Sequence, residues 1–360
     1  MKSINQYEPK YGKEEIKAVL DYMNSGGWLT EFKKTREFEE MIREFTGSGY
    51  CSVVANGTVS LFVALKAMGV GKGDEVIVPD ITMAASPNAV ILAGAKPIFV
   101  DIEEKTLCLD IAKTEKAITK KTKAVMHVSL NGRAGELSRL KALCAKKKIY
   151  LLEDAAQSLG SFYKGKHLGT FGEIGSFSFS MPKIITTGQG GALITQDEKL
   201  YQKIQLLKDF GRRKGGEDFY LTVGWNFKFT DLQAVIGIEQ MKRLKARISR
   251  KKKIYSLYKK LLAGARGVKF IETDLEETTP WFIDVLAKDR GALIEFLKKE
   301  GVGSRPIYPA LHSQPAYGLK GDFPISLRVA QEGLWLPSSF SLTDKDIEYI
   351  CKNIKKFYES

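Results

Sequence analysis

Short apolar runs alternate with amphipathic segments through the first two-thirds of this 360-residue chain. Helical periodicity fills intervals such as residues 58–68 and 137–148, between the β-rich runs. This alternation predicts βαβ units and a mostly parallel sheet. Several runs are apolar almost throughout, so the sheet is expected to be covered by helices on both faces. The predicted strands are residues 51–55, 75–79, 97–101, 124–129, 149–154, 175–180 and 192–195.

A different pattern begins at Thr230, which is a favourable N-cap for a helix that runs to about residue 262. Short strand-like pieces (268–272 and 281–286), a helix at residues 291–300, a proline-rich stretch and a final helix at 343–358 follow. We therefore predict two domains that are joined by the long helix. They are a large α/β domain over residues 1–240 and a smaller C-terminal α+β domain over residues 241–360.

The charge balance favours an anionic partner. The chain carries 56 Lys and Arg residues against 42 Asp and Glu residues, a formal net charge of +14. That excess suits a phosphorylated small molecule, a nucleic acid or an acidic membrane surface. Ten of the basic residues lie between Lys242 and Lys260, where apolar residues recur at helical spacing. The pattern is typical of an amphipathic helix with a solvated basic face, which we favour over a nucleic-acid or phosphate site.

Apolar runs, cysteines and histidines constrain the location and the cofactor class. The apolar runs are far shorter than the ~20 residues of a membrane-spanning helix, and the first residues have no apolar leader. Four cysteines are widely spaced without a CxxC pair, which predicts a reducing, cytoplasmic setting. Three histidines lie far apart, so no metal site is expected.

Four segments of the first domain carry candidate chemistry. Asn56-Gly57-Thr58 follows a predicted strand and begins a helix, which presents free N–H groups and the helix dipole to an anion. Asp154 ends an apolar run, at the edge where open α/β sheets bind ligands. Such an aspartate is a metal ligand, a ribose acceptor, the partner of a ring nitrogen or a helix N-cap, and the pattern leaves these open.

The other two segments contain Lys183 and Asn226. Lys183 lies between an apolar stretch and a glycine-rich turn at residues 186–191. Buried lysines lose their proton readily and act as Schiff-base amines, whereas most single lysines lie in surface loops. Asn226 lies between Trp225 and Phe227, just before the predicted helix. These aromatic residues indicate either core packing or a loop that reaches another subunit.

In this order the four segments resemble the DegT/DnrJ/EryC1/StrS family, sugar aminotransferases that use pyridoxal 5′-phosphate (PLP). The resemblance extends from residues 27–30 to residues 336–337, and residues 183–188 are similar to the GDP-perosamine-type branch, which makes 4-amino sugars. It implies fold type I, the aspartate aminotransferase-like α/β fold, with a mostly parallel mixed sheet and a smaller α+β domain. The most specific motifs are Glu153-Asp154-Ala155-Ala156-Gln157 and the segment with Ser178, Lys183, Thr187-Gly188 and Gly190-Gly191.

The resemblance assigns roles around the cofactor ring. Lys183 matches the lysine that bonds covalently to PLP and moves the proton between the substrate carbon and the cofactor. Asp154 matches the acid that pairs with the pyridine nitrogen and keeps it protonated. Gln157 matches the residue that hydrogen-bonds the phenolic oxygen. Met83 stands where many members place an aromatic ring over PLP, and its thioether can pack on the same face.

The resemblance also assigns the phosphate and substrate contacts. Asn226 matches a residue that reaches the phosphate from the neighbouring subunit, which implies a homodimer with a shared active site. Arg133 and His312 are the candidate substrate contacts, and a surface salt bridge is an equal alternative for Arg133. The phosphate-binding residues within the chain are Gly57, Thr58 and Ser178.

The implied reaction is reversible transamination. An amino group passes from L-glutamate to a nucleotide-diphosphate-linked 4-keto-6-deoxy sugar, giving a 4-amino-4,6-dideoxy sugar nucleotide for polysaccharide biosynthesis. The alternatives are a 3-keto-sugar aminotransferase and a PLP-dependent sugar dehydratase. Lys183 argues against the dehydratase branch, which has histidine at this position. A PLP-binding or nucleic-acid-binding regulator lacks a supporting motif, and a Rossmann dehydrogenase would need G-x-G-x-x-G after the first strand.

Overall fold

Strands form where the apolar runs predict them, because a strand buried on both faces needs apolar side chains on both. In β2, for example, Val76, Ile77 and Val78 are fully buried. The computed structural model describes residues 3–359. Its strands are β1 (Tyr50–Val54), β2 (Glu75–Pro79), β3 (Lys96–Val100), β4 (Thr122–Val128), β5 (Tyr150–Asp154), β6 (Phe162–Tyr163), β7 (Lys166–His167), β8 (Ile174–Ser178), β9 (Gly191–Thr195), β10 (Val268–Phe270), β11 (Ile283–Ala287), β12 (Arg305–Pro306) and β13 (Gly333–Leu336).

Helices fill the intervals between these strands and precede the first of them. Two N-terminal helices, α1 and α2, are additional to the prediction. The helices are α1 (Lys13–Asn24), α2 (Lys33–Thr46), α3 (Gly57–Ala67), α4 (Ala85–Leu92), α5 (Ile111–Ala117), α6 (Leu137–Lys147), α7 (Glu198–Lys208), α8 (Asp231–Lys242), α9 (Leu244–Leu261), α10 (Arg290–Lys299), α11 (Pro324–Glu332) and α12 (Asp344–Glu359).

The larger sheet has seven strands in the order β1-β9-β8-β5-β4-β2-β3. The pairs β8/β5, β5/β4, β4/β2 and β2/β3 are parallel, whereas β9 runs antiparallel to both β1 and β8. The predicted mostly parallel mixed sheet is therefore confirmed. Because β5 and β8 are neighbours, their carboxyl ends, Asp154 and Ser178, lie at the same edge of the sheet.

The smaller sheet is wholly antiparallel, in the order β10-β11-β13-β12. It packs against α9, α10 and α12 through a core that contains Tyr255, Leu293 and Ile350. Strand β13 lies between β11 and β12 in this sheet, and neither β13 nor β12 was predicted. The predicted domain boundary between residues 240 and 241 stays a prediction, since it falls inside α8.

The prediction of one long helix from Thr230 to about residue 262 is wrong, because two separate helices, α8 and α9, occupy this range. Thr230 does cap α8, with its Oγ1 accepting the Gln233 N–H at 3.2 Å. Arg243 has φ −105° and ψ 4°, outside the helical range, and separates α8 from α9. Its guanidinium donates to Glu14 at 2.8 Å, so the break faces α1.

The prediction that the basic side chains of α9 are exposed to solvent is also wrong for two of them, Arg247 and Lys251, which are buried. Lys251 is 1% exposed and Arg247 is 8% exposed. Arg250 and Lys253 pair with Asp344 at the start of α12. These cations therefore bind the helix to the rest of the protein.

Within residues 3–359, none of the helices combines the length and apolar character needed to cross a bilayer.

Candidate active site

One cavity of about 380 Å³ opens at the carboxyl ends of β5 and β8, beside the start of α3. This is the edge at which open α/β sheets bind ligands. The structure brings most of the site residues predicted from the sequence to this cavity. Those that line it are Gly57, Thr58, Met83, Asp154, Gln157, Ser178 and Lys183.

The start of α3 forms an anion cradle at one end of the cavity. Asn56 caps the helix, with its Oδ1 accepting the Val59 N–H at 2.9 Å. The N–H groups of Gly57 and Thr58 belong to the first turn, which has no intrahelical acceptors and carries the positive end of the dipole. A Cβ added at Gly57 would lie 2.8 Å from the Ser178 Cβ. Glycine therefore allows the helix start and Ser178 to approach each other around an anion.

Asp154 lies at the base of the cavity and is 5% exposed. Its Oδ2 accepts the Ser86 hydroxyl at 2.8 Å and its Oδ1 accepts the Ala156 N–H at 3.2 Å. Burial raises the pKa of Asp154 above its usual range, while these hydrogen bonds and the charge of Lys183 oppose the shift. A positive partner in the cavity, such as a protonated ring nitrogen, would favour the ionised carboxylate.

Gln157 presents an amide donor to the cavity. Its Oε1 accepts the Asn131 N–H at 2.7 Å, which leaves the amide nitrogen as the group that can donate to a ligand. Asn131 has φ 54° and exchanges hydrogen bonds with the backbone of Phe282, so it connects Gln157 to the segment that precedes β11. The orientation of Gln157 therefore depends on both sheets.

Lys183 lies in the loop after β8 and directs its amine into the cavity. Burial lowers its pKa to about 8, although the negative charge of Asp154 acts in the opposite direction. An amine with this pKa is neutral for a useful fraction of the time near pH 7, as a nucleophile or a proton carrier requires. Met83 is half-exposed at the opening.

Four further cavity residues come from the segments around the smaller sheet and were not predicted: Trp281, Phe282, Arg305 and Tyr308. Trp281 and Tyr308 are buried, whereas Arg305 is exposed and its guanidinium lies 4.9 Å from the Trp335 ring centre. Tertiary packing brings them to the larger sheet, so no local motif indicates them. His312, which was predicted to contact the substrate, lies four residues after Tyr308 in the same proline-rich stretch.

Arg133 does not line the cavity, which corrects its assignment as a substrate contact. It is 2% exposed and pairs with Asp284 of β11, with N–O distances of 2.5 and 3.1 Å. Its Nε donates to the Thr106 carbonyl at 2.7 Å. The alternative of a salt bridge is confirmed but its surface location is wrong, because the pair is buried and joins the loop after β4 to the smaller sheet.

We expect Arg133→Met to lower the free energy of unfolding by about 3–5 kcal/mol, because it leaves the Asp284 carboxylate buried without a cation. The double variant Arg133→Met/Asp284→Leu should recover much of that loss. Chemical denaturation measures both values. Equal losses in the single and double variants would contradict a paired role.

His312 and Asn226 also lie outside the cavity of their own chain. The His312 ring is buried, with its Nδ1 2.7 Å from the Asp80 carboxylate, and it stacks on Phe323. Its expected place as a direct substrate contact is therefore not supported within one chain. Asn226 is exposed and lies in a bridge with Asp209.

Among residues 3–359, no group of three or more His, Cys, Asp or Glu side chains is arranged to hold a metal ion. The cavity instead fits PLP by the chemistry of its groups. It combines an anion cradle for a phosphate, a buried carboxylate for a ring nitrogen, an amide donor for a phenolic oxygen and an amine for an aldehyde. Each of these groups faces the same volume.

Comparison with known proteins agrees with this geometry. A sequence model of the DegT/DnrJ/EryC1/StrS aminotransferase family matches residues 9–355. The chain is 35% identical to GDP-perosamine synthase of Escherichia coli O157:H7 over 99% of both chains. It is 33% identical to the spore coat polysaccharide biosynthesis protein SpsC of Bacillus subtilis, over 96% of this chain and 95% of that one.

The fold is similar to that of Spr1654 from Streptococcus pneumoniae, which has been solved in PMP and PLP forms. The PMP form has a TM-score of 0.95 at 29% identity, covering 99% of this chain and 98% of the other. The PLP form has a TM-score of 0.94 and covers 99% of each. Fold type I and PLP as the cofactor are thereby confirmed, and the chain belongs to the DegT/DnrJ/EryC1/StrS aminotransferase family.

Proposed function

We propose that the protein transfers an amino group from L-glutamate to a nucleotide-diphosphate-linked 4-keto-6-deoxy sugar. The product is a 4-amino-4,6-dideoxy sugar nucleotide for polysaccharide biosynthesis. The observation that carries the proposal is the convergence of Lys183, Asp154 and the α3 cradle on one cavity. The relative named GDP-perosamine synthase supports the choice of substrate, as it is similar over its full length.

In this proposal the chain's residues hold PLP at four points. Gly57, Thr58 and Ser178 bind the phosphate, and the Asp154 carboxylate accepts a hydrogen bond from the protonated ring nitrogen. Gln157 donates to the phenolic oxygen, and Met83 packs on the ring. When bound, PLP supplies an electron sink for the electron pair that remains when a proton leaves the substrate carbon.

Lys183 has two tasks in the proposed reaction. Its amine bonds to the cofactor at rest, and after release it takes a proton from the substrate carbon and returns it at the neighbouring cofactor carbon. A lysine with a pKa of about 8 is near the operating pH, which suits both removal and return of the proton. Asp154 keeps the proton on the ring nitrogen while Lys183 moves the other proton.

The substrate enters from the side of the smaller sheet. Trp281 and Tyr308 give it an aromatic wall, and the exposed Arg305 offers a guanidinium that lies over the Trp335 ring. The formal net charge of +14 favours a diphosphate substrate over a neutral sugar. We also infer a cytoplasmic location, since all four cysteines are free and buried.

A homodimer with a shared active site would explain how Asn226 can contact the cofactor although it lies outside the cavity of its own chain. Asn226 lies outside its own cavity, and exposed apolar side chains occur nearby in the chain, including Phe219 and Val223. Thr30 pairs with Thr230, so the exposed Trp28 lies on the segment that adjoins the start of α8. We propose that a second copy covers this surface and that Asn226 reaches the phosphate of its partner's cofactor.

Mixed dimers test this arrangement. Neither Lys183→Ala nor Asn226→Asp alone should turn over normally, because one lacks the amine and the other places a negative charge beside a phosphate. When both chains are co-expressed, about half of the dimers are mixed and about a quarter of all sites are intact. We therefore expect activity near a quarter of the wild-type value. No gain over the parent variants would mean that each site belongs to one chain.

Product analysis tests the reaction itself. The holoenzyme is incubated with L-glutamate labelled with heavy nitrogen and with GDP-, dTDP- or UDP-linked 4-keto-6-deoxy sugars, and the products are analysed by mass spectrometry and NMR. We expect the heavy nitrogen at carbon 4 of one sugar. Nitrogen at carbon 3 would favour the 3-keto-sugar aminotransferase, and a deoxygenated product formed without glutamate would favour the dehydratase.

A further inference from the structure

The amine of Lys183 lies against an aromatic face. Its Nζ is 4.0 Å from the centre of the Trp281 ring, in the geometry of a cation–π contact. We propose that Trp281 is a positioning residue that holds the Lys183 amine while this amine is not bonded to the cofactor, and that its ring face stabilises the ammonium that forms when the amine takes up a proton. The inference rests on the proposed role of Lys183.

The Trp281 ring is fixed independently of Lys183. Its Nε1 donates to the Pro182 carbonyl at 2.6 Å, so the ring is tied to the residue that precedes the lysine. It stacks on Phe282, with ring centres 3.9 Å apart, and contacts Trp335 edge to face. The side chain is 6% exposed. The ring therefore cannot turn away without breaking a hydrogen bond and leaving a packed cluster.

Two buried cations of α9 donate to backbone carbonyl groups on either side of the contact, one of Trp281 and one of the residue after Lys183. Lys251 Nζ donates to the Trp281 carbonyl at 2.7 Å, and Arg247 donates to the Ile184 carbonyl at 3.1 Å. The hydroxyl of Tyr7 donates to the Lys183 carbonyl at 3.4 Å. The backbone is thus held on both sides of the contact, which gives a role to the buried end of the basic helix.

Transamination requires such a place for the amine. The lysine would be released from the cofactor when the donor's amino group takes its place, and would bond to it again only as the aminated product leaves, so its amine is free for part of every cycle. Among residues 3–359, no hydrogen-bond acceptor binds Lys183 Nζ, and Asp154 already accepts Ser86 and Ala156. In a desolvated cavity the negative face of an indole stabilises an ammonium. Trp281 would therefore keep the free amine in place and favour its protonated form.

Other charged and titratable groups around Lys183 need to be held constant in a test. Burial lowers the pKa of Lys251 to about 7, so that side chain titrates in the same range as Lys183. A substitution that changes only the electron density of the Trp281 ring leaves these groups unaltered. The groups are Asp154 on β5, Tyr7 near the N-terminus, Arg247 and Lys251 on α9, and Arg305 and Tyr308 beside the smaller sheet.

Site-specific incorporation of fluorinated tryptophans at position 281 is such a substitution, because fluorine weakens the ring's negative face with little change of shape. The full-length protein is stripped of cofactor, and the rate of covalent PLP rebinding is followed by its yellow absorbance as a function of pH. Attack on the aldehyde needs the neutral amine, so this rate rises through the pKa of Lys183. We expect the midpoint to fall with each added fluorine, by up to roughly one pH unit in total.

The same fluorinated residues at Trp225 provide the control. Trp225 packs on Phe62 and does not line the cavity, so its fluorination should leave the midpoint unchanged. An unchanged midpoint in the whole Trp281 series would overturn the inference. Failure of the wild-type protein to bind PLP covalently would instead overturn the proposed function, so the two failures are distinguishable.

Discussion

Replacing Lys183 by alanine is expected to lower the rate of amino transfer by at least about 10³-fold. Two functions are lost together, the covalent link to PLP and the transfer of the proton, and general acid–base catalysis alone contributes about 10²–10⁴-fold. The variant should still bind PLP through the α3 cradle, but without the yellow absorbance of the lysine-bound form. Steady-state turnover and the absorbance spectrum measure the two effects.

Two substitutions serve as controls for Lys183→Ala. Lys183→Arg keeps a cation near Asp154 but cannot form the covalent link, so it should be as inactive as the alanine variant. Lys245→Ala removes an exposed lysine of α9 and should leave turnover unchanged. Turnover in Lys183→Ala within tenfold of the wild type would remove the lysine from the reaction.

Replacing Asp154 by asparagine is expected to lower turnover by about 10²–10⁴-fold, since the neutral amide cannot keep a proton on the ring nitrogen. The electron pair left by the departing proton then has a poorer acceptor. Asparagine retains the shape of the side chain, and its Oδ1 can accept the Ala156 N–H while its amide nitrogen donates to the Ser86 hydroxyl. Single-turnover kinetics with L-glutamate separates this chemical effect from weaker cofactor binding.

The same variant should be at least as stable as the wild type at neutral pH when PLP is absent. An aspartate whose pKa is higher in the folded chain binds more protons when folded. Its ionisation therefore lowers stability as the pH rises from the unfolded pKa to the folded one, and the loss persists above that value. Asparagine carries no charge and avoids the loss. A marked fall in melting temperature would contradict this account.

Glu153 provides a matched comparison in the preceding position. Its carboxylate accepts the N–H groups of Gly169, Phe171 and Gly172, and it is fully buried. In Glu153→Gln an amide N–H₂ would face one of these donors, at a cost of about 1–3 kcal/mol. We expect activity per folded molecule to be retained, in contrast to Asp154→Asn, because Glu153 does not line the cavity.

The sequence predicted the larger sheet well because its strands are buried. A strand covered on both faces is apolar throughout, so the bounds of β2 are as predicted and those of β1 and β5 differ by one residue. Asp154 and Lys183 could be singled out because each interrupts or follows such an apolar run. Their meeting at one cavity follows from the order of the strands.

Other features could not be predicted because they depend on contacts between distant segments. Trp281 and Tyr308 reach the cavity only through the packing of the smaller sheet. Arg133 and Lys251 bind partners that lie 151 and 30 residues away in the chain. The sequence alone does not distinguish such a buried cation from an exposed one. The break at Arg243 occurs in a sequence with helical periodicity on both sides.

We propose that Lys183 binds PLP and that the enzyme accepts an amino group from L-glutamate. The most direct test is the near-visible absorbance of the purified, PLP-loaded protein before and after addition of L-glutamate, without a sugar acceptor. We predict a yellow band that decays as the pyridoxamine form appears and that returns when a 4-keto sugar nucleotide is added. A yellow band that glutamate leaves unchanged, or no band after loading with PLP, would contradict the account.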